Sequence, residues 1–165
     1  MRSMPRVHIG FGANLGDPRT TLQRAIAALS AEAIAYVRRA PLYRTAPMGP
    51  PGQPDYLNTV IEVDTALAPL ELLDALKRIE GALGRLPSER WAARAIDLDL
   101  LLYGEQIVDH ERLTVPHAGL AQRRFVLAPL ARLVPSLRVP GIGRTVAELL
   151  ASSSDDPSSA IEVEG

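Results

Sequence analysis

Ala95-Ile96-Asp97-Leu98-Asp99-Leu100-Leu101-Leu102-Tyr103 closes the longer run that begins Arg90-Trp91-Ala92-Ala93-Arg94. It reads as a β-strand, in which side chains alternate between two faces. The alternation predicts Ile96, Leu98, Leu100 and Leu102 on a core face, with Asp97 and Asp99 projecting together from the other. Their Cα atoms would lie about 6.6 Å apart. Two carboxylates that close repel, and burial makes the repulsion costlier. A divalent cation relieves both; magnesium takes hard oxygen ligands, commonly one or two carboxylates plus substrate phosphates. Arg90 and Arg94, just upstream, suit forked hydrogen bonds to phosphate. The competing reading is a structural ion network in which the two arginines neutralise the two acids.

Outward from this strand, the elements interleave. Arg6 to Ala13 reads as a strand with Val7, Ile9 and Phe11 on one side. Asp17 and Pro18 then open a helix, as N-cap and first residue. Leu22, Ala25, Ile26 and Leu29 form its apolar face. Ala33 to Thr45 is one long strand or two short ones, interrupted at Pro41. Six of the eight residues from Pro47 to Pro54 are Pro or Gly, which marks a loop. Asp55 to Val63 is a further strand. Pro69 starts a second helix with an expected face of Leu70, Leu73, Leu76, Ile79 and Leu83, ended by Gly84. Ala121 to Leu133 is helical with a break or kink near Pro129. Thr145 and Glu148 form a capping box for a last short helix. The resulting β-α-β-β-α-β order predicts an α+β, ferredoxin-like fold: an antiparallel sheet with helices on one face, the other face free for a site, and C-terminal helical additions. One domain is expected over residues 1–151, followed by a Ser- and Asp-rich disordered tail over 152–165.

Composition bounds the function. A chain of 165 residues is long enough to bury a real core, and its 47% hydrophobic and 22% charged residues are ordinary for a soluble domain. The net charge of −1 gives no global attraction to nucleic acid or membrane, so phosphate binding would need local basic clusters. Cysteine is absent, which excludes disulfides and thiolate chemistry. No signal region and no membrane-spanning run is evident, so a cytoplasmic protein is expected.

Further segments carry chemistry. Gly10-Phe11-Gly12-Ala13-Asn14-Leu15-Gly16-Asp17 lacks the pattern of a P-loop or a dinucleotide fold. It reads as a strand-to-helix turn with Gly16 or Asn14 left-handed. Tyr43 to Gly49 and Gln53 to Asn58 flank the Gly/Pro loop with an aromatic and an amide, which suits a flat heterocycle: Tyr56 to stack, Asn58 to read a ring edge. An ordinary hairpin with a core Tyr and a turn Asn is the plainer reading. His117 follows Pro116 on a stiff backbone and can serve phosphate as a donor. Arg123, Arg124 and Phe125 read, one at a time, as surface charges and a core ring.

The order of these segments resembles the 6-hydroxymethyl-7,8-dihydropterin pyrophosphokinase family from about Val7 to Pro135. The most specific part is Arg-Trp-x-x-Arg-x-x-Asp-Leu-Asp, Arg90 to Asp99. The Tyr-Arg-Thr-x-Pro-x-Gly…Tyr-Leu-Asn and Val-Pro-His segments support it. The resemblance implies a ferredoxin-like enzyme that transfers the β,γ-pyrophosphoryl group of ATP to a pterin hydroxymethyl oxygen and releases AMP. Two Mg2+ ions would sit on Asp97 and Asp99. Arg85 and Arg94 would stabilise phosphate charge, with Arg90, His117 and Arg123 as further phosphate contacts. Tyr56 and Phe125 would sandwich the pterin, Asn58 would read its edge, and backbone near Thr45, Met48 and Gly49 would help. Trp91 would close over both substrates. Leu73, Leu100 and Thr114 match positions around the nucleotide base and sugar, and Lys77 and Glu80 a helix position near ATP. The Gly/Pro loop and Arg85 to Glu89 are the expected lids. The partners implied are small molecules, with no nucleic acid, no membrane and a monomeric state.

Three departures stand out: Ala93 where many members have Pro, a short and less basic Arg85–Glu89 loop, and Ala118 where an aromatic can occur. Two other readings stay open on sequence: a different Asp-x-Asp metal transferase, and a non-catalytic module that binds a small ligand.

Overall fold

The computed structural model describes residues 4–46, 52–84 and 96–163. Strand β1 (Arg6–Ala13) leads through Gly16, at φ 64°, into helix α1 (Pro18–Leu29). Asp17 caps that helix by accepting from the Arg19 backbone N–H. Strands β2 (Ile34–Arg39) and β3 (Leu42–Thr45) follow, separated at Ala40 and Pro41. Both pair with the same long strand, β4 (Tyr56–Thr65), one with each half of it. Helix α2 (Pro69–Gly84) then leads to strand β5 (Asp97–Tyr103). A small hairpin, β6 (Val108–His110) and β7 (Leu113–Val115), precedes helices α3 (Arg124–Leu133) and α4 (Val146–Ala151) and a last strand, β8 (Ile161–Val163). The main sheet runs β5-β1-β4-β3-β8, with β2 also on β4, and every pairing in it is antiparallel.

Two hydrophobic layers enclose this sheet. Val7, Ile9, Phe11, Leu98 and Leu100 pack against α1 and α2. On the opposite face, Val60, Leu101 and Leu102 pack against α3 and α4. The expected free face is therefore partly covered, and the site occupies what α3 and α4 leave open.

Four other expectations are corrected. Leu102 does not share the face of Ile96, Leu98 and Leu100. His8 pairs with Leu102 while Ile9 pairs with Leu100, so Leu101 is an extra residue and the alternation is rephased there. The buried stripe of α2 is Leu72, Ala75, Leu76 and Ile79, with Leu70, Leu73 and Leu83 only partly buried. At about 100° per residue, Leu70 and Leu73 lie off the middle of this stripe, and Leu83 lies in line with it in the last turn. In the third helical region the break falls at Arg123, whose extended backbone separates a short turn at Leu120–Gln122 from α3, and Pro129 sits inside α3. Finally, the stretch after Ser152 is not disordered over the described residues, because β8 pairs with β3. The capping box forms as expected, with Glu148 N donating to Thr145 Oγ1 at 3.1 Å and Thr145 N to Glu148 Oε1 at 2.9 Å.

A buried ion network fixes the end of the sheet away from Asp97. Glu62 is fully buried; its carboxylate accepts from His8 Nε2 at 2.9 Å, Arg6 Nη1 at 2.7 Å and Arg38 Nε at 3.0 Å. Arg38 also donates to the Leu133 carbonyl at 3.0 Å, which ties down the C-terminal end of α3.

Candidate active site

β1 runs between the two strands that carry the candidate chemistry. Gly12 pairs with Asn58 of β4 on one side and with Asp97 of β5 on the other; Gly10 lies between Val60 and Asp99. Glycine at both positions adds no side chain of its own to this floor, and the space is taken instead by Leu101 over Gly10 and by the Asn58 amide over Gly12. At Gly12 the space is needed: a methyl group there would stand 2.9 Å from Asn58 Oδ1. Asn58 is buried, and its Nδ2 donates to Thr45 Oγ1 at 2.6 Å, which fixes the orientation of the amide.

These groups line one cavity of about 600 Å3. Asp97 and Asp99 enter it from β5, Asp97 half-buried and Asp99 exposed. Thr45, Tyr56 and Asn58 form the opposite wall. His117, Arg123 and Phe125 close it from the far side of the sheet. His117 follows the cis Val115–Pro116 bond, and its backbone N–H is bound to the Leu101 carbonyl at 3.0 Å. Its Nδ1 accepts from Gly119 N at 3.0 Å, so the neutral ring carries its proton on Nε2. The Arg123 guanidinium carbon lies 5.9 Å from the Phe125 ring centroid, within cation–π range. A polar end with acids and cations thus adjoins an end with two aromatic rings and an oriented amide.

Eight of the sequence-identified residues meet in this cavity. Leu73, Lys77, Glu80, Leu100 and Thr114 do not line it. Leu100 is buried in the core, Leu73 packs at its edge, and Thr114 is exposed on β7. Lys77 pairs with Glu80 at 3.1 Å, and Glu80 Oε2 accepts from Leu98 N at 2.6 Å. That bond holds α2 against β5, which is an edge strand of the sheet among the described residues. Met48, Gly49, Arg85, Arg90, Trp91 and Arg94, and both expected lids for most of their length, lie outside the described residues.

Sequence reasoning missed other wall residues. Gly10 and Gly12 carried a usable signal, since glycine inside a strand often marks a close approach. Leu101 follows Asp97 and Asp99 on the cavity face by simple alternation, and an apolar residue there gave no sign of a wall position. Asp155 and Ser159 also line it, and nothing in their Ser- and Asp-rich surroundings marked them.

A model of the 7,8-dihydro-6-hydroxymethylpterin-pyrophosphokinase family matches residues 8–135. The chain belongs to this family. It is 48% identical over 148 residues to the 2-amino-4-hydroxy-6-hydroxymethyldihydropteridine pyrophosphokinase of Pseudomonas aeruginosa, covering 89% of this chain and 91% of that protein. The corresponding pyrophosphokinase of Haemophilus influenzae is 40% identical over 153 residues, 92% of this chain and 95% of its own. Among solved structures, an HPPK-DHPS crystal structure in complex with substrates superposes with a TM-score of 0.71 at 12% identity, over 92% of this chain and 43% of that one. That similarity supports the fold. The family assignment rests on sequence, and the matched span contains every cavity residue except those of the C-terminal segment.

Proposed function

We propose that the cavity binds ATP and 6-hydroxymethyl-7,8-dihydropterin side by side, and that the protein transfers the pyrophosphoryl group of ATP to the pterin hydroxymethyl oxygen, releasing AMP, a step of folate biosynthesis. Membership of the pyrophosphokinase family makes it an ATP-dependent diphosphotransferase. One observation carries the residue assignment: paired acids and an oriented amide flank the same strand, opposite its two glycines, in a single cleft.

Asp97 and Asp99 offer hard oxygen donors on one side of one strand, a set that suits magnesium with phosphate and water completing its shell. Bound there, two ions would neutralise triphosphate charge and favour in-line attack at the β-phosphorus. The protein's own groups position the reactants. His117 Nε2–H and the Arg123 guanidinium donate to phosphate oxygens from the wall facing the acids. Arg85, Arg90 and Arg94 are assigned the same task, and Trp91 closure over the substrates. Tyr56 and Phe125 stack on the two faces of the pterin, and Asn58, with backbone near Thr45, Met48 and Gly49, reads its polar edge. The nucleotide base and sugar are assigned to the open edge of β5, near Leu73, Leu100 and Thr114, with Lys77 and Glu80 behind. Because the nucleophile is the pterin hydroxyl, no nucleophilic side chain is required.

The strand order supports a ferredoxin-like core within a single catalytic domain. Among the described residues no helix is long and apolar enough to cross a membrane, and we read the protein as a cytoplasmic monomer without a nucleic-acid partner.

The direct test is incubation with ATP, magnesium and the hydroxymethyl dihydropterin, followed by chromatography. AMP and the pterin diphosphate are expected in equal amounts; ADP or free pyrophosphate as the main product would refute the assignment. Asn58→Ala is expected to weaken pterin binding at least tenfold, because a buried polar edge loses its partner. ATP binding should change less than twofold in the same calorimetric titrations.

A further inference from the structure

The C-terminal segment belongs to the cavity in a way the matched family span, ending at residue 135, does not cover. α3 carries Phe125 in its first turn, and Arg123 immediately precedes it, yet its own N-cap side chain makes no capping bond. The cap comes from elsewhere: Asp155 Oδ2 accepts from the Arg124 backbone N–H at 3.1 Å, across 31 residues of sequence. Behind Phe125, Ala160 packs in a small cluster with Tyr43 and Ala128. The segment is held on β3 by the β8 pairing, in which Arg44 lies opposite Ile161. Glu162 reinforces it, accepting from Tyr43 Oη at 3.3 Å and pairing with Arg132 of α3. Asp155 and Ser159 themselves reach the cavity wall.

We propose that Asp155 and Ala160 are positioning residues for the pterin side of the site: the segment from Ser153 to Val163 clamps the first turn of α3, so that Phe125 presents a fixed face to the pterin. The inference rests on the assignment of Phe125 to the pterin. A carboxylate at a helix N-terminus satisfies a backbone donor and complements the helix dipole. Its loss lets the first turn fray, and the ring frays with it.

The test is steady-state kinetics of full-length Asp155→Ala, Asp155→Asn, Ala160→Leu and Phe125→Ala. Asp155→Ala should raise the pterin KM about fivefold, the usual scale of a lost cap. The ATP KM and kcat should move less than twofold. Asp155→Asn keeps an acceptor oxygen and should restore the pterin KM to within about twofold of the parent, since Asn caps about as well as Asp. Ala160→Leu overfills the contact behind the ring and should raise the pterin KM without touching Asp155, which covers the case in which Asp155→Ala does not fold. A large pterin effect of Phe125→Ala with none from Asp155→Ala or Ala160→Leu overturns the inference and leaves the pterin assignment standing. Equal losses for ATP and pterin reduce the segment to general scaffolding and also overturn it. No pterin effect of Phe125→Ala removes the assignment beneath the inference, and the inference with it.

Discussion

Replacing Asp97 and Asp99 together by alanine is expected to lower magnesium-dependent kcat by at least about a thousandfold, the loss of several kcal/mol of transition-state charge stabilisation. The circular dichroism spectrum should not change. The acids lie on the cavity side of β5 while Leu98 and Leu100 hold the strand in the core, so alanine removes oxygen donors without opening a void. The single variants separate the two positions. Asp97 is half-buried and faces Gly12; Asp99 is exposed and faces Gly10. Each single change is expected to reduce turnover and to raise the magnesium concentration needed for half-maximal rate. Retention of magnesium-dependent turnover in the double variant would remove the metal assignment, and with it the reading of the polar end of the cavity.

The second large effect concerns stability. Glu62→Ala is expected to cost about 3 kcal/mol, because it leaves a buried cavity and a buried His8 Nε2–H with no acceptor, while Arg38 loses its carboxylate and Arg6 keeps only Asp64. For a chain of this size that corresponds to a melting temperature lower by about 10 °C. Burial pushes the Glu62 carboxyl up, but hydrogen bonds from Arg38, His8 and Arg6 outweigh it and hold the group at about 2. Its contribution is therefore complete above the ordinary carboxylate range and is lost as pH falls towards that value. His8 acts in the same direction. Burial lowers its affinity for a proton despite the bond to Glu62, so the unfolded chain takes up a proton first as pH drops below about 6.5. Urea midpoints measured from pH 7 down to about pH 2.5 should fall steadily for the parent. Below about pH 4.5 they should fall less steeply for Glu62→Gln, which removes the carboxyl titration. Parallel slopes for the two proteins would show that the network does not govern acid stability.

The strand bearing Asp97 and Asp99 was legible because apolar and acidic residues alternate with period two, a local property. The place where that period fails, at Leu101, was not legible: the extra residue is defined only by the neighbour, His8 facing Leu102 and Ile9 facing Leu100. The capped starts of α1 and α4 could be read from Asp17-Pro18 and Thr145…Glu148, since a cap is a contact within one turn. The cap on α3 could not, because its acceptor lies 31 residues downstream in a stretch whose composition suggested disorder. The same logic divides the site. Tyr56 and Asn58 were visible beside a Gly/Pro-rich loop, but their meeting with Phe125 and Arg123 is a product of topology. Residue order supplied it through a family resemblance, where spacing alone left a core ring and surface charges.

The three adjacent strands also make the cleft a gauge of molecular length. Asn58 and Asp97 are opposite the same residue, Gly12, one on each side. Their backbones are thus separated by two interstrand spacings, about 9.6 Å, set by main-chain hydrogen bonding and insensitive to side-chain rotation. Under the roles proposed for Asn58 and the two acids, an acceptor alcohol tethered one carbon farther from its heterocycle is expected to overshoot the reacting phosphorus however well the ring itself is held.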